Sequence, residues 1–217
     1  MVNIPLVFST FMDTSGKECK LEFSHPFDSR CSTFFAITPP ESMVKLTFVP
    51  YGYVVHEALE TAGYAPKLLG RSHKPAISAE IIVMEYLLPP TNGKPGWITL
   101  FDLVTKHPAL VDQKSDLIQA QLDAIVLVLK GSKLVHGDLR SNNLMIFCTL
   151  TAIVEPVQVK AVDMEWAGRV GEVYYPVDRN EAVGYPGKAG ELIGSRDDDQ
   201  MARQWMNVLK VSQVVTV

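Results

Sequence analysis

The stretch from His136 to Asn143, HGDLRSNN, sets a histidine, a carboxylate, an arginine and two amides within eight residues. It fits the pattern H-x-D-L-x-x-x-N, a loop used for phosphoryl transfer. In that chemistry Asp138 orients the attacking hydroxyl as a base, and the amide oxygen of Asn143 holds magnesium. Both must converge on one phosphate, which a short rigid loop between two strands can arrange. A second carboxylate, Asp163 in KAVDMEWAG, follows a strand-like run and stands in chain order where another magnesium-binding aspartate belongs. Taken singly, each cluster also suits an ordinary turn, with Asp163 ending a strand and Trp166 filling a core gap.

Such a loop needs strands and helices to hold it. CKLEF, CSTFFAI and MVKLTFV are strand-like and are separated by SHPFDSR and TPPES, so three antiparallel strands are expected from about Cys19 to Val49. In YGYVVHEALETAGYAP the residues Val54, Val55, Ala58, Leu59 and Ala62 recur at helical spacing until Gly63 and Pro66 end the pattern. KLLG and AEIIVMEYL add two strand candidates, and PPTNGKPG is a Pro/Gly-rich connector. Beyond it come a short helix, ITLFDLVTK, and a long one from about Asp112 to Lys130. Leu117, Ile118, Leu122, Ile125, Val126 and Leu129 leave that helix little polar surface, and Gly131 stops it. The tail DDDQMARQWMNVLKV reads as a helix with aspartates at its N-terminus. The expected architecture is α+β and bilobal within residues 18–210: a small antiparallel sheet with one helix over 18–86, a hinge over 84–96, and a mainly helical, truncated lobe over 97–210.

Composition narrows the setting. With 217 residues, 47% of them apolar, the chain can bury a substantial core. A formal net charge of -4 offers no general attraction to nucleic acid or to an anionic membrane. Cys19, Cys31 and Cys148 are scattered, without the spacing of a disulfide framework or a zinc site. His25, His56, His73 and His107 occur singly and suit structural or solvated roles better than ligation. The N-terminus has no basic region before its apolar residues, and no apolar run reaches transmembrane length, so a cytoplasmic or nuclear protein is expected.

Two further segments complete a set. Lys45 lies in MVKLTF on the third strand candidate, and VMEYL, from Val83 to Leu87, precedes the connector. Together with HGDLRSNN, AGYAPKLLG, DMEWAG followed by GEVYYP, and DDDQM, these segments resemble the kinase-like domains abundant in mushroom-forming fungi. That group is related to short kinases of the RIO type and to aminoglycoside and choline phosphotransferases. The likeness runs from about Phe34 to Met206 and implies a protein-kinase-like fold that binds ATP and magnesium. It implies that Lys45 contacts the ATP phosphates, that Met84 guards the adenine pocket, and that the backbone around Glu85, Tyr86 and Leu87 hydrogen-bonds the base. It further implies that Arg140 steadies the γ-phosphate, that Asn143 and Asp163 hold metal, and that His136 and Asp198 support the loop, Asp198 from the following helix.

The chain departs from that family at several points. Val54 stands where a glutamate pairs with the strand lysine, and at 100° per residue Glu57 and Glu60 point away from the apolar stripe. No G-x-G-x-x-G precedes Lys45, Gly137 replaces the arginine of His-Arg-Asp, and no A-P-E segment follows. Helices that dock peptides in full protein kinases are not expected after the Asp198 helix, as in short kinases or in a piece of a longer protein. Three functions are compatible with these residues. The leading one is transfer of phosphate from ATP to a protein serine or threonine. The second replaces the acceptor with a small-molecule hydroxyl, and the third is a pseudokinase that serves as a binding module.

Overall fold

Alternation of apolar residues along the first half of the chain builds a sheet, while helical periodicity takes over in the second half. The computed structural model describes residues 9–26, 33–72 and 79–215, with side chains described for these except at 23–26, 208 and 210–215. Part of the expected SHPFDSR turn, Cys31 and His73 lie outside the described residues, as does the side chain of His25. The chain divides into two units, residues 1–51 with 66–86, and residues 52–65 with 87–217.

The first unit holds β1 (Thr10–Asp13), β2 (Glu18–Lys20), β3 (Glu22–Pro26), β4 (Thr33–Thr38), β5 (Ser42–Thr47), β6 (Leu68–Arg71) and β7 (Glu80–Glu85). They form one antiparallel sheet in the order β2-β1-β6-β7-β5-β4-β3. The expected strand CKLEF is divided at Leu21, and β1 is an addition to the expected set. Asp13 closes the β1–β2 turn, its Oδ1 accepting from Ser15 N at 2.9 Å, Ser15 Oγ at 2.7 Å and Lys17 N at 2.9 Å. Phe11, Leu21, Val44, Ile81 and Val83 pack together as the core of this unit. The run Ile81 to Met84 is buried throughout, as a central strand covered on both faces requires. Lys45 pairs with Ile82 and Met43 with Met84 across β5 and β7, which puts Lys45 on the sheet face opposite Val44 and Val83.

The second unit contains α1 (Tyr53–Thr61), β8 (Gly96–Thr99), α2 (Leu100–Lys106), α3 (Pro108–Asp112), α4 (Ser115–Gly131), β9 (Leu134–Val135), β10 (Leu144–Cys148), β11 (Val159–Ala161), β12 (Gly168–Arg169) and α5 (Asp197–Val215). Short sheets run β11-β10-β8 and β12-β9. Helix α4 buries Ile118, Leu122, Ile125, Val126 and Leu129, a single stripe, while Leu117 and Leu127 face solvent; although apolar on most sides, it is therefore buried along one face only. Trp205 Nε1 of α5 donates to Gln119 Oε1 of α4 at 3.0 Å.

Helix α1 belongs to this second unit, whereas the sequence places it among the strands of the first. Backbone bonds explain the difference: Gly52 N donates to Met164 O at 2.9 Å, and Ala161 N donates to Tyr64 O at 2.7 Å. Both ends of the helix are thus fastened to the segment around Asp163. Glycine is required at 52, since a Cβ there would lie 2.6 Å from Ala167 Cβ. The buried face of α1 is Val55, His56 and Leu59, so Val54 and Ala62 of the expected stripe are exposed. Among the described residues no helix is long and apolar enough to cross a membrane.

Candidate active site

The loop from His136 to Asn143 connects β9 to β10 and is anchored from outside the loop. Asp198, in the first turn of α5 and 2% exposed, accepts from His136 N at 2.7 Å and from Gly137 N at 2.9 Å. His136 Nδ1 accepts from Asp138 N at 3.3 Å, so the neutral ring carries its proton on Nε2, which reaches Val162 O at 3.1 Å. Asn143 N donates to Arg140 O at 2.8 Å, closing the short 3-10 turn Ser141–Asn143. The Asn143 carbonyl then accepts from Val162 N at 2.9 Å. The Val162 peptide is therefore gripped on both sides by the loop, and the next residue is Asp163, held in a left-handed conformation at φ 69°.

This grip brings the two carboxylates together. Asp138 is 5% exposed, and burial pushes its carboxyl up to about 6. The charge of Asp163 adds to the rise, while Arg140 and the Asn143 amide oppose it. Asn143 Nδ2 donates to Asp138 O at 2.9 Å and to Asp138 Oδ2 at 2.8 Å, and Arg140 Nη2 lies 3.2 Å from the same Oδ2. Oδ1 of Asp138 is buried and has no hydrogen-bond partner. Asp198 is also pushed up to about 6 by burial, against the pull of its two backbone donors.

Asp138, Arg140, Asn143, Asp163, His136 and Asp198 thus all gather in the second unit. Lys45, Met84, Glu85 and Tyr86 lie in the first unit, and Leu87 begins the adjoining segment of the second. Glu85 N already donates to Lys67 O at 2.8 Å and Tyr86 N to Glu41 O at 3.0 Å. Of the three backbone N–H groups expected at the purine, those of Glu85 and Tyr86 are therefore engaged within the sheet unit.

The sequence did not single out Tyr175, Tyr185 or Arg179, which stand together beyond Asp163. Trp166, Tyr175 and Tyr185 form a cluster with ring centroids 5.1 to 6.3 Å apart. The Arg179 guanidinium lies over both tyrosines, 4.8 Å from the Tyr175 ring and 4.9 Å from the Tyr185 ring. Tyr175 donates to Asp197 Oδ2 at 3.0 Å. Burial, and after it the charge of Asp138, pushes the Tyr185 hydroxyl up to about 12. The density of tyrosines in VYYP and GYPG is the signal that could have drawn attention here.

Magnesium takes hard oxygen donors, keeps waters and commonly uses one or two carboxylates with phosphate oxygens. The donor set suits it: Asn143 engages its amide nitrogen with Asp138, which turns the amide oxygen to other use, and Asp163 supplies a carboxylate. No cluster of three or more His, Cys, Asp or Glu arranged for a metal occurs among the described residues.

Asp198→Ala should loosen the loop. It leaves the His136 and Gly137 N–H groups buried without acceptors, each costing about 1–3 kcal/mol. Amide hydrogen exchange at these two positions should accelerate by more than tenfold; unchanged protection would show that Asp198 is not the anchor.

The fold is that of protein kinases. The kinase PK-1 of Cydia pomonella granulovirus matches with a TM-score of 0.56 over 88% of this chain and 69% of that chain, at 15% identity. The sequence matches no protein-family model and no curated protein.

Proposed function

We propose that this chain is a phosphotransferase that moves the γ-phosphoryl group of ATP, with magnesium, to a protein hydroxyl, serine or threonine being the leading acceptor. The observation that carries the reading is Asp138: buried, braced from three sides, beside Asp163, and with one carboxylate oxygen unpartnered. In this reading Asp138 orients the hydroxyl and takes its proton, and Arg140 steadies the transferring group. Asn143 and Asp163 hold magnesium, which when bound neutralises charge on the phosphates. Lys45 contacts the α- and β-phosphates, Met84 lines the purine pocket, and backbone from Glu85 through Tyr86 to Leu87 borders the base, with the N–H of Leu87 as donor. Membership of the basidiomycete kinase-like family rests on the sequence motifs alone.

A cationic aminoglycoside acceptor is less well served. Arg140 lies 3.2 Å from Asp138 Oδ2, a positive charge where such a substrate would need negative charge. The pseudokinase reading draws on Val54, which is exposed at the position where the family has a glutamate. The deciding experiment is transfer of labelled γ-phosphate from ATP to a generic protein acceptor, with and without magnesium, beside Asp163→Ala. Magnesium-dependent transfer that falls at least 100-fold in the variant is expected. Folded wild-type protein that binds ATP without transferring phosphate would favour the pseudokinase.

A further inference from the structure

A lysine stands where the backbone would ordinarily call for glycine. Helix α4 ends at Gly131, and two residues later the chain turns at Lys133, whose φ of 56° lies in the left-handed region. That conformation is unfavourable for any residue carrying a Cβ, so a lysine kept there points to a use for its side chain. Two backbone bonds hold the turn: Lys133 N donates to Lys130 O at 3.1 Å, and Val170 N donates to Lys133 O at 3.1 Å. Lys133 is thereby fixed between the end of α4 and the residue after β12.

The strained lysine borders a cleft. Lys130, Lys133, Val170 and Ser195 line a space of about 480 Å³ within the second unit, where two ammoniums and a hydroxyl supply hydrogen-bond donors beside one apolar side chain. Lys130 pairs with Asp199 in the first turn of α5. The side chains of Lys133 and Ser195 have no partner among the described residues. Asp197, two residues beyond Ser195, is occupied elsewhere, its Oδ2 accepting from the Tyr175 hydroxyl at 3.0 Å and from Gly194 N at 2.9 Å. On a chain of formal net charge -4 there is no general attraction for anions, so donors gathered in one cleft mark a particular place for one.

We propose that this cleft binds a phosphate-bearing ligand, with Lys133, Lys130 and the Ser195 hydroxyl around the phosphoryl oxygens and Val170 against the group that carries them. Lysine serves phosphate as a point charge and needs no planar fork. A phosphoryl group brings three acceptor oxygens to the three donors, whereas a carboxylate brings two. The cleft shares no residue with the loop of Asp138, and the proposal does not depend on phosphate transfer.

The test titrates inorganic phosphate into the ¹⁵N-labelled full chain, without magnesium or nucleotide and at constant ionic strength, and follows the amides of Lys133, Val170 and Ser195. Their shifts should move together and saturate. Lys133→Gly should weaken the affinity about tenfold or more, the loss expected for a charged hydrogen-bonding group, yet melt no lower than wild type, because glycine accepts the left-handed turn. A peptide bearing phosphoserine, titrated in the same way, separates two sources of the ligand: tighter binding than inorganic phosphate identifies a phosphorylated protein segment, and binding no tighter identifies the free ion. Shifts that never saturate, or that persist unchanged in Lys133→Gly, overturn the proposal. A glycine variant that melts lower than wild type also overturns it, since Lys133 would then serve the fold.

Discussion

Asp138→Asn is expected to abolish phosphate transfer while making the protein more stable at neutral pH. Burial and the neighbouring Asp163 raise the Asp138 carboxyl from its ordinary 3.8 to about 6, so the folded state holds its proton more tightly than the unfolded chain does. For a carboxyl shifted upward, the folded state binds more protons between about pH 4 and pH 6, and stability falls as pH rises through that window. Above it the charge stays buried at a standing cost, which for a shift of this size is on the order of 3 kcal/mol. Asparagine removes the charge but keeps an oxygen that can accept from Asn143. The variant should unfold several degrees higher at pH 8 and show no advantage at pH 4, when melting is followed by calorimetry. Loss of the base should lower transfer at least 100-fold, within the range general bases contribute. A variant no more stable than wild type at pH 8 would mean that the buried carboxylate is better solvated than its surroundings imply, and unchanged transfer would remove Asp138 from the mechanism.

Gly137→Ala should be among the most damaging single-methyl additions in the molecule. Gly137 has φ 81°, and a Cβ there would lie 2.7 Å from Ile193 Cδ1, 2.9 Å from Trp166 O and 3.2 Å from Trp166 Cβ. The left-handed conformation alone costs a non-glycine residue about 1–2 kcal/mol. The backbone carbonyl of Trp166 cannot shift without disturbing the turn that follows Asp163. A loss of about 3 kcal/mol or more is expected, with a fall in melting temperature of roughly 6–12 °C for a domain of this length. Gly137→Arg, which would restore the family's residue, should fail to fold altogether. Normal melting of the alanine variant would show that the loop adopts another conformation.

These two positions show why some of the site was legible in the sequence and some was not. Asp138, Asn143 and Asp163 could be found because the chemistry imposes residue types at fixed spacing, and their bracing by Asp198 came from the same family pattern. Gly137 read only as a missing arginine, since a left-handed φ and a contact with Trp166 O depend on how another segment passes the loop. Tyr185 and Arg179 lie over 40 residues further along with no motif of their own, so only the folded backbone stacks them together and brings the charge of Asp138 to bear on Tyr185. The strands followed a similar division. β5 and β7 announce themselves by apolar runs, whereas β1 is four residues long and is recognisable mainly from the Asp13 turn that closes it. Helix α1 was visible as a periodicity, but its allegiance was decided by the carbonyls of Met164 and Tyr64, which periodicity does not report.

The two backbone bonds that fasten α1 make it a splint across the segment bearing Asp163. A swing of this helix would have to break Gly52 N to Met164 O or Ala161 N to Tyr64 O, and with either bond the left-handed aspartate between Ala161 and Met164 loses a support. The backbone on both sides of Asp163 is thus tied to the two ends of α1.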